Sequence, residues 1–346
     1  MKTLTIPFPD DWHCHLRDQS FLSRTVSDES KRFRRAIIMP NLSTPITTVA
    51  AAREYQRRIL NVLPPTHSFQ PLMTLYLTEN IDVSEIITGK QTGIIHACKL
   101  YPAGATTHAH HGIRDLKKSY HLFEVMQKYD VPLLIHGEVV DPNVDILNSE
   151  SEFIDKEFIA LIQHFPELRI VLEHISTAKA VDFIKAAPPR VVATITPHHL
   201  LLNLNDLLAN GLQPHYYCKP VVKQINDQHA LIHAATSGNA KFFLGTDSAP
   251  HSRRTKECAH GCAGIYSAHA AIELYAELFS THHALDKLAG FASHFGAQFY
   301  RLPVNNEILT LKHAPWSVPE TLTLGDEELV PFFAGKTLQW QIAYEP

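Results

Sequence analysis

Six side chains in this sequence have the chemistry of metal ligands: His13, His15, Lys99, His136, His174 and Asp247. Each falls at or just after a short apolar, β-branched run, so the groups would share one end of a strand array. Residues i and i+2 of a strand point the same way. His13 and His15 therefore project together and can chelate one metal, while Trp12 and Cys14 point into the strand wall. His136 and His174 can serve a second metal. Asp247, in Leu-Gly-Thr-Asp-Ser-Ala-Pro-His, can touch one metal and exchange a proton with bound hydroxide. Each residue also has a structural alternative: packed histidines, a salt-bridged lysine, a capping aspartate.

Histidine abundance weakens any single motif. With 23 histidines in 346 residues, a chance His-x-His is expected about 1.5 times. Both His13/His15 and His108/His110 fit the pattern. Lys99 is more informative, because an ammonium is a poor ligand and costly to bury. Burial favours the neutral amine, which can add carbon dioxide. The resulting carbamate would offer one oxygen to each of two Zn²⁺ ions. Two zincs, less carbamate, aspartate and a bridging hydroxide, leave one positive charge. That charge suits an anionic substrate and polarises a carbonyl.

The runs lie at 11–16, 35–40, 70–77, 94–101, 132–136, 169–174, 191–196 and 241–245. Helical patterns lie at 48–60, 116–128, 151–164, 178–186, 227–237, 264–279 and 283–295. Nearly continuous apolar runs read as strands covered on both faces. Alternation with helices gives an α/β fold, a (β/α)8 TIM barrel over about 5–300, with a packed C-terminal extension over about 301–346. The whole of 1–346 reads as one domain. An open doubly wound sheet is the alternative, but no Gly-x-Gly-x-x-Gly loop supports it.

The formal net charge of -4, with 19% charged residues, gives no general attraction to nucleic acid or anionic membrane. Lys31 to Arg35 reads as a solvated face. No uninterrupted apolar stretch reaches the roughly 18 residues of a membrane span, and Pro7 and Pro9 break any leader-like run. Five cysteines, an odd number without an export signal, read as free, buried or inert thiols in a reducing, cytoplasmic compartment.

Seven motifs occur in order: Phe-Pro-Asp-Asp-Trp-His-Cys-His-Leu-Arg-Asp (8–18), Met-Pro-Asn (39–41), Lys-Leu-Tyr-Pro-Ala-Gly-Ala-Thr-Thr (99–107), Ile-His-Gly-Glu (135–138), Glu-His-Ile-Ser-Thr (173–177), Thr-Ile-Thr-Pro-His-His-Leu (194–200) and Leu-Gly-Thr-Asp-Ser-Ala-Pro-His (244–251). Together they resemble the stand-alone bacterial and fungal dihydroorotases of the amidohydrolase superfamily. The resemblance implies reversible closure of N-carbamoyl-L-aspartate to L-dihydroorotate and water. It implies two zincs bridged by carboxylated Lys99, bridging hydroxide as nucleophile and Asp247 as general acid/base. It further implies substrate contacts from Arg17, Asn41 and His251, and from backbone near Lys219 and Ala263. Residues 103–112 match a mobile loop with Thr106 and Thr107 at its tip. His108, His110 and His111 lie outside that motif and read as solvated. A homodimer is implied as well. A hydantoinase- or allantoinase-like hydrolase and an inactive scaffold are the competing readings. Arg17, Asn41 and His251 argue against the former, and the retained ligand set argues against the latter.

Overall fold

The computed structural model describes residues 2–343; Met1 and residues 344–346 of the expected single domain lie outside them. Eight parallel strands form the central sheet in chain order: β2 (Asp10–Cys14), β3 (Arg35–Ile38), β4 (Gln70–Tyr76), β5 (Ile95–Leu100), β6 (Leu133–His136), β7 (Ile170–Glu173), β8 (Val191–Ile195) and β9 (Phe242–Leu244). β1 (Thr3–Pro7) does not join them. It pairs antiparallel with β10 (Ile308–Ser317), which pairs with β13 (Thr337–Ile342). β11 (Leu322–Leu324) and β12 (Glu327–Leu329) form a separate hairpin. The extension is thus tied to the N-terminus by a sheet of its own.

β9 is only three residues long, and the barrel closes beyond it. Asp247 N–H donates to the His13 carbonyl at 2.8 Å, and His15 N–H donates to the Ser248 carbonyl at 3.0 Å. The Asp11 carboxylate reinforces this seam, accepting from His13 N (3.0 Å), Thr246 N (2.8 Å) and Thr246 Oγ1 (2.5 Å).

The helices conform to their sequence signals with shifted ends. Thr48 and Thr177 accept from the backbone N–H of Ala51 and Ala180, capping the helices Val49–Asn61 and Ala178–Ala186. The helices Leu22–Ser30 and Val83–Gln91 lack an expected counterpart. Both are short, at nine residues each. The 151–164 pattern becomes two α-helical pieces joined by a π-helical turn, Ile154–Phe158. The 264–279 helix begins only at Ala271, and 283–295 resolves into short turns before the helix Phe295–Tyr300.

Alternate strand residues fill the barrel in layers. Ile37, Leu72, Ala97, Leu134, Val171, Val192 and Phe243 form an apolar floor. Trp12 joins them, contrary to the expected outward direction, and stacks on Tyr300 with centroids 4.5 Å apart. The register of β2 against β3 shifts between Asp11 and Cys14, which breaks strict alternation. Cys14 does lie in the outer core.

The stretch 31–35 is also not a solvated face. Arg32 makes two 2.9 Å bonds to Glu273, and Arg35 binds Asp10 at 2.9 and 2.5 Å; both arginines are buried. Planar guanidinium–carboxylate pairing satisfies the buried charges and pins β2 to β3. All five cysteines are unpaired, but Cys258 is exposed and Cys262 partly so. Among the described residues no helix is long and apolar enough to cross a membrane.

Two measurements check this packing. A Cβ at Gly296 would fall inside contact distance of the Trp12 indole. Gly296→Ala is expected to lower the unfolding free energy by about 1–3 kcal/mol in urea denaturation, and wild-type stability would refute the tight floor. His269 is buried and pushed down to about 3, mainly by desolvation and then by Arg32. Its unfolded form gains a proton below about pH 6.5 while its folded form does not, so its contribution is full above that pH and is lost as pH falls. Buried Glu150, raised to about 7 by desolvation, acts in the opposite direction. The variant-minus-wild-type difference therefore isolates His269. Between about pH 7.5 and 5 it should move by about 2 kcal/mol in favour of His269→Gln. A pH-independent difference would contradict the assignment.

Candidate active site

One layer above the apolar floor the same inward positions become polar. Lys99 lies two residues beyond Ala97, His136 beyond Leu134, Glu173 beyond Val171 and Thr194 beyond Val192. Lys99 is wholly buried, and its Nζ contacts Glu173 Oε2 directly. The other Glu173 oxygen lies 3.0 Å from His13 Nδ1. Burial holds the Lys99 amine well below its ordinary pKa.

His13 and His15 face the same space, with Nε2 atoms 3.4 Å apart. Asp247 Oδ1 is 3.0 Å from His15 Nε2 and 3.3 Å from His13 Nε2. Burial lowers both imidazoles, His15 to about 3. Burial works to raise the Asp247 carboxyl, but the imidazoles of His13 and His15 outweigh it and hold Asp247 well below its usual value. His174 sits 5.1 Å from His13 and 4.7 Å from His136, ring to ring. Its backbone N–H donates to Thr194 Oγ1 at 2.8 Å. His136 instead turns Nε2 to Glu138 Oε2 at 2.7 Å, and Glu138 also accepts from Ser149 Oγ at 2.6 Å.

Arg17, His174 and Asp247 all have left-handed backbones, with φ of 59°, 44° and 46°. This conformation costs a non-glycine residue roughly 1–2 kcal/mol. Such strain persists where surrounding structure over-determines it, commonly at functional sites. It is also what brings consecutive Glu173 and His174 to the same space.

These groups open on a small cavity lined by His13, His15, His136, His174 and Asp247, together with Arg17, Asn41, Tyr101, Lys219, Ala263, Thr106 and Thr107. Lys99 lies beneath the lining, and His251 stands behind Arg17. Arg17 Nη2 meets His251 Nε2 at 3.1 Å, while Arg17 Nη1 is buried without a hydrogen-bond partner. Asn41 Nδ2 donates to the Thr107 carbonyl at 3.0 Å, leaving Asn41 Oδ1 buried and unpartnered. His110 and His111 are exposed as expected. His108 is not simply solvated: it is half-buried, and its Nδ1–H donates to the Asn41 carbonyl at 3.1 Å.

Sequence reasoning missed Glu173, Tyr101, Asp11 and Thr246. Glu173 had a readable signal, because it shares the inward parity of Val171. Asp11 and Thr246 had none, since their contact spans the barrel seam. His13, His15 and Asp247 lie close enough together to hold a cation, as do His13, Glu173 and His174. Neutral imidazoles and a carboxylate suit zinc, and His174 Nδ1 has no protein partner. The donor set therefore fits a divalent metal, with His136 having to leave Glu138 to join it.

No protein-family model matches the sequence. The chain is 61% identical over 342 residues to a dihydroorotase of Coxiella burnetii, covering 99% of this chain and 98% of that one. It superposes on a solved dihydroorotase of Campylobacter jejuni with a TM-score of 0.91 at 34% identity, covering 99% and 98% of the two chains. The dihydroorotase of Saccharomyces cerevisiae, solved with 5-fluoroorotic acid, gives a TM-score of 0.90 at 33% identity and full coverage of both. The barrel and 61% identity over nearly the whole of both chains agree: the chain belongs to the dihydroorotase family, hydrolases that act on cyclic amides in pyrimidine biosynthesis.

Proposed function

We propose that the cavity interconverts N-carbamoyl-L-aspartate and L-dihydroorotate plus water, with two zinc ions and a carboxylated Lys99 as its cofactor set. The observation carrying this reading is the meeting of two chemistries in one small cavity: buried Arg17 with an unpartnered Nη1, and the His13–His15–Asp247 cluster. A free guanidinium N–H favours a carboxylate. His13, His15, His136, His174, Asp247 and carboxylated Lys99 would hold the zincs, which when bound polarise a carbonyl and ease deprotonation of water.

In ring opening, water adds to the ring carbonyl carbon and the carbon–nitrogen bond breaks. Asp247 accepts the proton of the attacking water and delivers it to the leaving amide nitrogen. Its place in the cavity, with Oδ1 3.0 Å from His15 Nε2 and 3.3 Å from His13 Nε2, supports that role. Arg17 would bind the substrate carboxylate, with Asn41 and His251 beside it. Lys219 and Ala263 would contribute mainly backbone contacts. Thr106 and Thr107 would cover the bound ring and exclude bulk water. Carboxylation of Lys99 joins Nζ to carbon dioxide with loss of a proton, and replaces the Lys99–Glu173 contact. Glu173 would then keep one carboxylate oxygen close to His13 Nδ1, an electrostatic contact beside that ring.

The reading further assigns the enzyme to the cytoplasm as a homodimer, in keeping with its unpaired cysteines; sedimentation equilibrium tests the dimer. Turnover is expected on dihydroorotate and not on hydantoin or allantoin, and the reverse preference would replace this substrate with another cyclic amide. Metal analysis should find two zincs per chain, whereas well under one in active protein contradicts the cofactor. Lys99→Ala should lose activity on the order of 10²–10³-fold, partly restored by small carboxylic acids. Full activity in Lys99→Ala would end the carbamate assignment.

A further inference from the structure

The loop 103–112 is held at its base by Ala103 N–H to Ile113 O at 3.1 Å and Ile113 N–H to Tyr101 O at 2.9 Å, Ala109 packs against Tyr76 and Tyr101, and Thr106 and Thr107 line the cavity. Internally, Gly104 N–H donates to Ala109 O at 3.0 Å and Ala109 N–H to Thr106 O at 3.1 Å. Thr107 Oγ1 reaches the Ala263 carbonyl only at 3.4 Å. Further ties to the barrel lie at the tip. Asn41 Nδ2 donates to Thr107 O at 3.0 Å, His108 Nδ1–H donates to Asn41 O at 3.1 Å, and Tyr76 Oη donates to His108 O at 3.2 Å.

His108 takes part in two of these three ties, one through its ring and one through its carbonyl. It also adopts φ of 56°, a left-handed backbone that aims its ring back at Asn41 rather than into solvent. Asparagine and histidine are among the residues that tolerate this region best. The ring is half-buried beside Arg17, Leu42 and His251, in a cleft next to the cavity. It contacts none of the proposed metal ligands.

We propose that His108 is a positioning residue, a latch that holds the 103–112 loop closed by anchoring its tip to Asn41. This inference rests on the reading of the cavity as the substrate site, and it deepens that reading by assigning what sets loop closure. Asn41 serves both partners: its main chain holds the latch, and its side chain faces the cavity. The closed loop and the substrate end of the site are thereby registered to one residue at the mouth of β3. A hydrogen bond of ordinary strength corresponds to about a fivefold change in the closed-to-open ratio.

Three variants separate the bond from the backbone. His108→Ala removes the ring and leaves a residue poorly suited to φ of 56°. His108→Gly removes the ring but relieves the backbone. His108→Asn keeps a donor, because its Nδ2 occupies the place of the histidine Nδ1. The readouts are kcat/KM for dihydroorotate in the metal-loaded enzyme, bound metal, and hydrogen exchange of the 104–112 amides in the unliganded enzyme. Gly should lower kcat/KM about fivefold and speed exchange by a similar factor, and Ala should do so at least as much, with metal content unchanged in both. Asn should stay within about twofold of wild type in both. Wild-type exchange and kcat/KM in Ala and Gly would overturn the latch, as would an Asn variant as impaired as Ala. A loss of metal matching the loss of activity would also overturn it. A wild-type enzyme inactive on dihydroorotate would sink the substrate assignment instead, and the exchange measurements would still decide the latch.

Discussion

Asp11 reinforces the seam that closes the barrel. Hydrogen-bonded pairing along β9 runs for only three residues, so the first and last barrel strands need another connection. Backbone bonds from Asp247 N–H to His13 O and from His15 N–H to Ser248 O supply it just beyond β9, and the Asp11 carboxylate reinforces them by accepting from His13 N–H, Thr246 N–H and the Thr246 hydroxyl. Burial raises this carboxyl to about 6, against the hydrogen bonds that hold it down. Glu29, on the helix Leu22–Ser30, is raised well above its usual value by burial and then by the charge of Asp11. Two buried carboxyls side by side resist ionising together. The seam fixes His13 relative to Asp247, and with them the geometry of the proposed proton transfer.

Within the seam, the barrel changes character over one layer. Its floor is apolar and close-packed, ending in the Trp12–Tyr300 stack. Directly above, Lys99, Glu173, His136 and Thr194 occupy the next inward positions. Water is excluded from below by packing, so the polar layer must satisfy itself or take a ligand. Glu173 does part of this by bridging Lys99 and His13. Among the buried atoms without a hydrogen-bond partner are His174 Nδ1, Arg17 Nη1 and Asn41 Oδ1, on residues that line the cavity where metal and substrate are proposed to sit.

The outer elements serve the same geometry. Arg35 and Asp10 lock the base of β2 to β3, and Arg32 joins Glu273 across the outer core. The β1–β10–β13 sheet joins Thr3–Pro7 to the C-terminal extension beside the barrel. These buried ion pairs lie away from the cavity, so their charges position strands without entering the proposed chemistry.

The strand–helix alternation and the apolar runs made the barrel legible from sequence, because strands covered on both faces carry a strong local hydrophobic signal. The strand-end positions of His13, His15, Lys99, His136, His174 and Asp247 were legible for the same reason. The direction of Trp12 was not, because a register shift between neighbouring strands has no local signature. Nor were the burial of Arg32 and Arg35, whose partners lie 241 and 25 residues away. His108 looked like one more loop histidine; its contact with Asn41 exists only once the loop is folded over the cavity. Sequence alone determined which chemical groups arrive at the mouth of the barrel, since that follows from strand periodicity. Tertiary structure decided which of them face one another and which contacts hold them there, since that depends on seam closure, left-handed turns and long-range pairing.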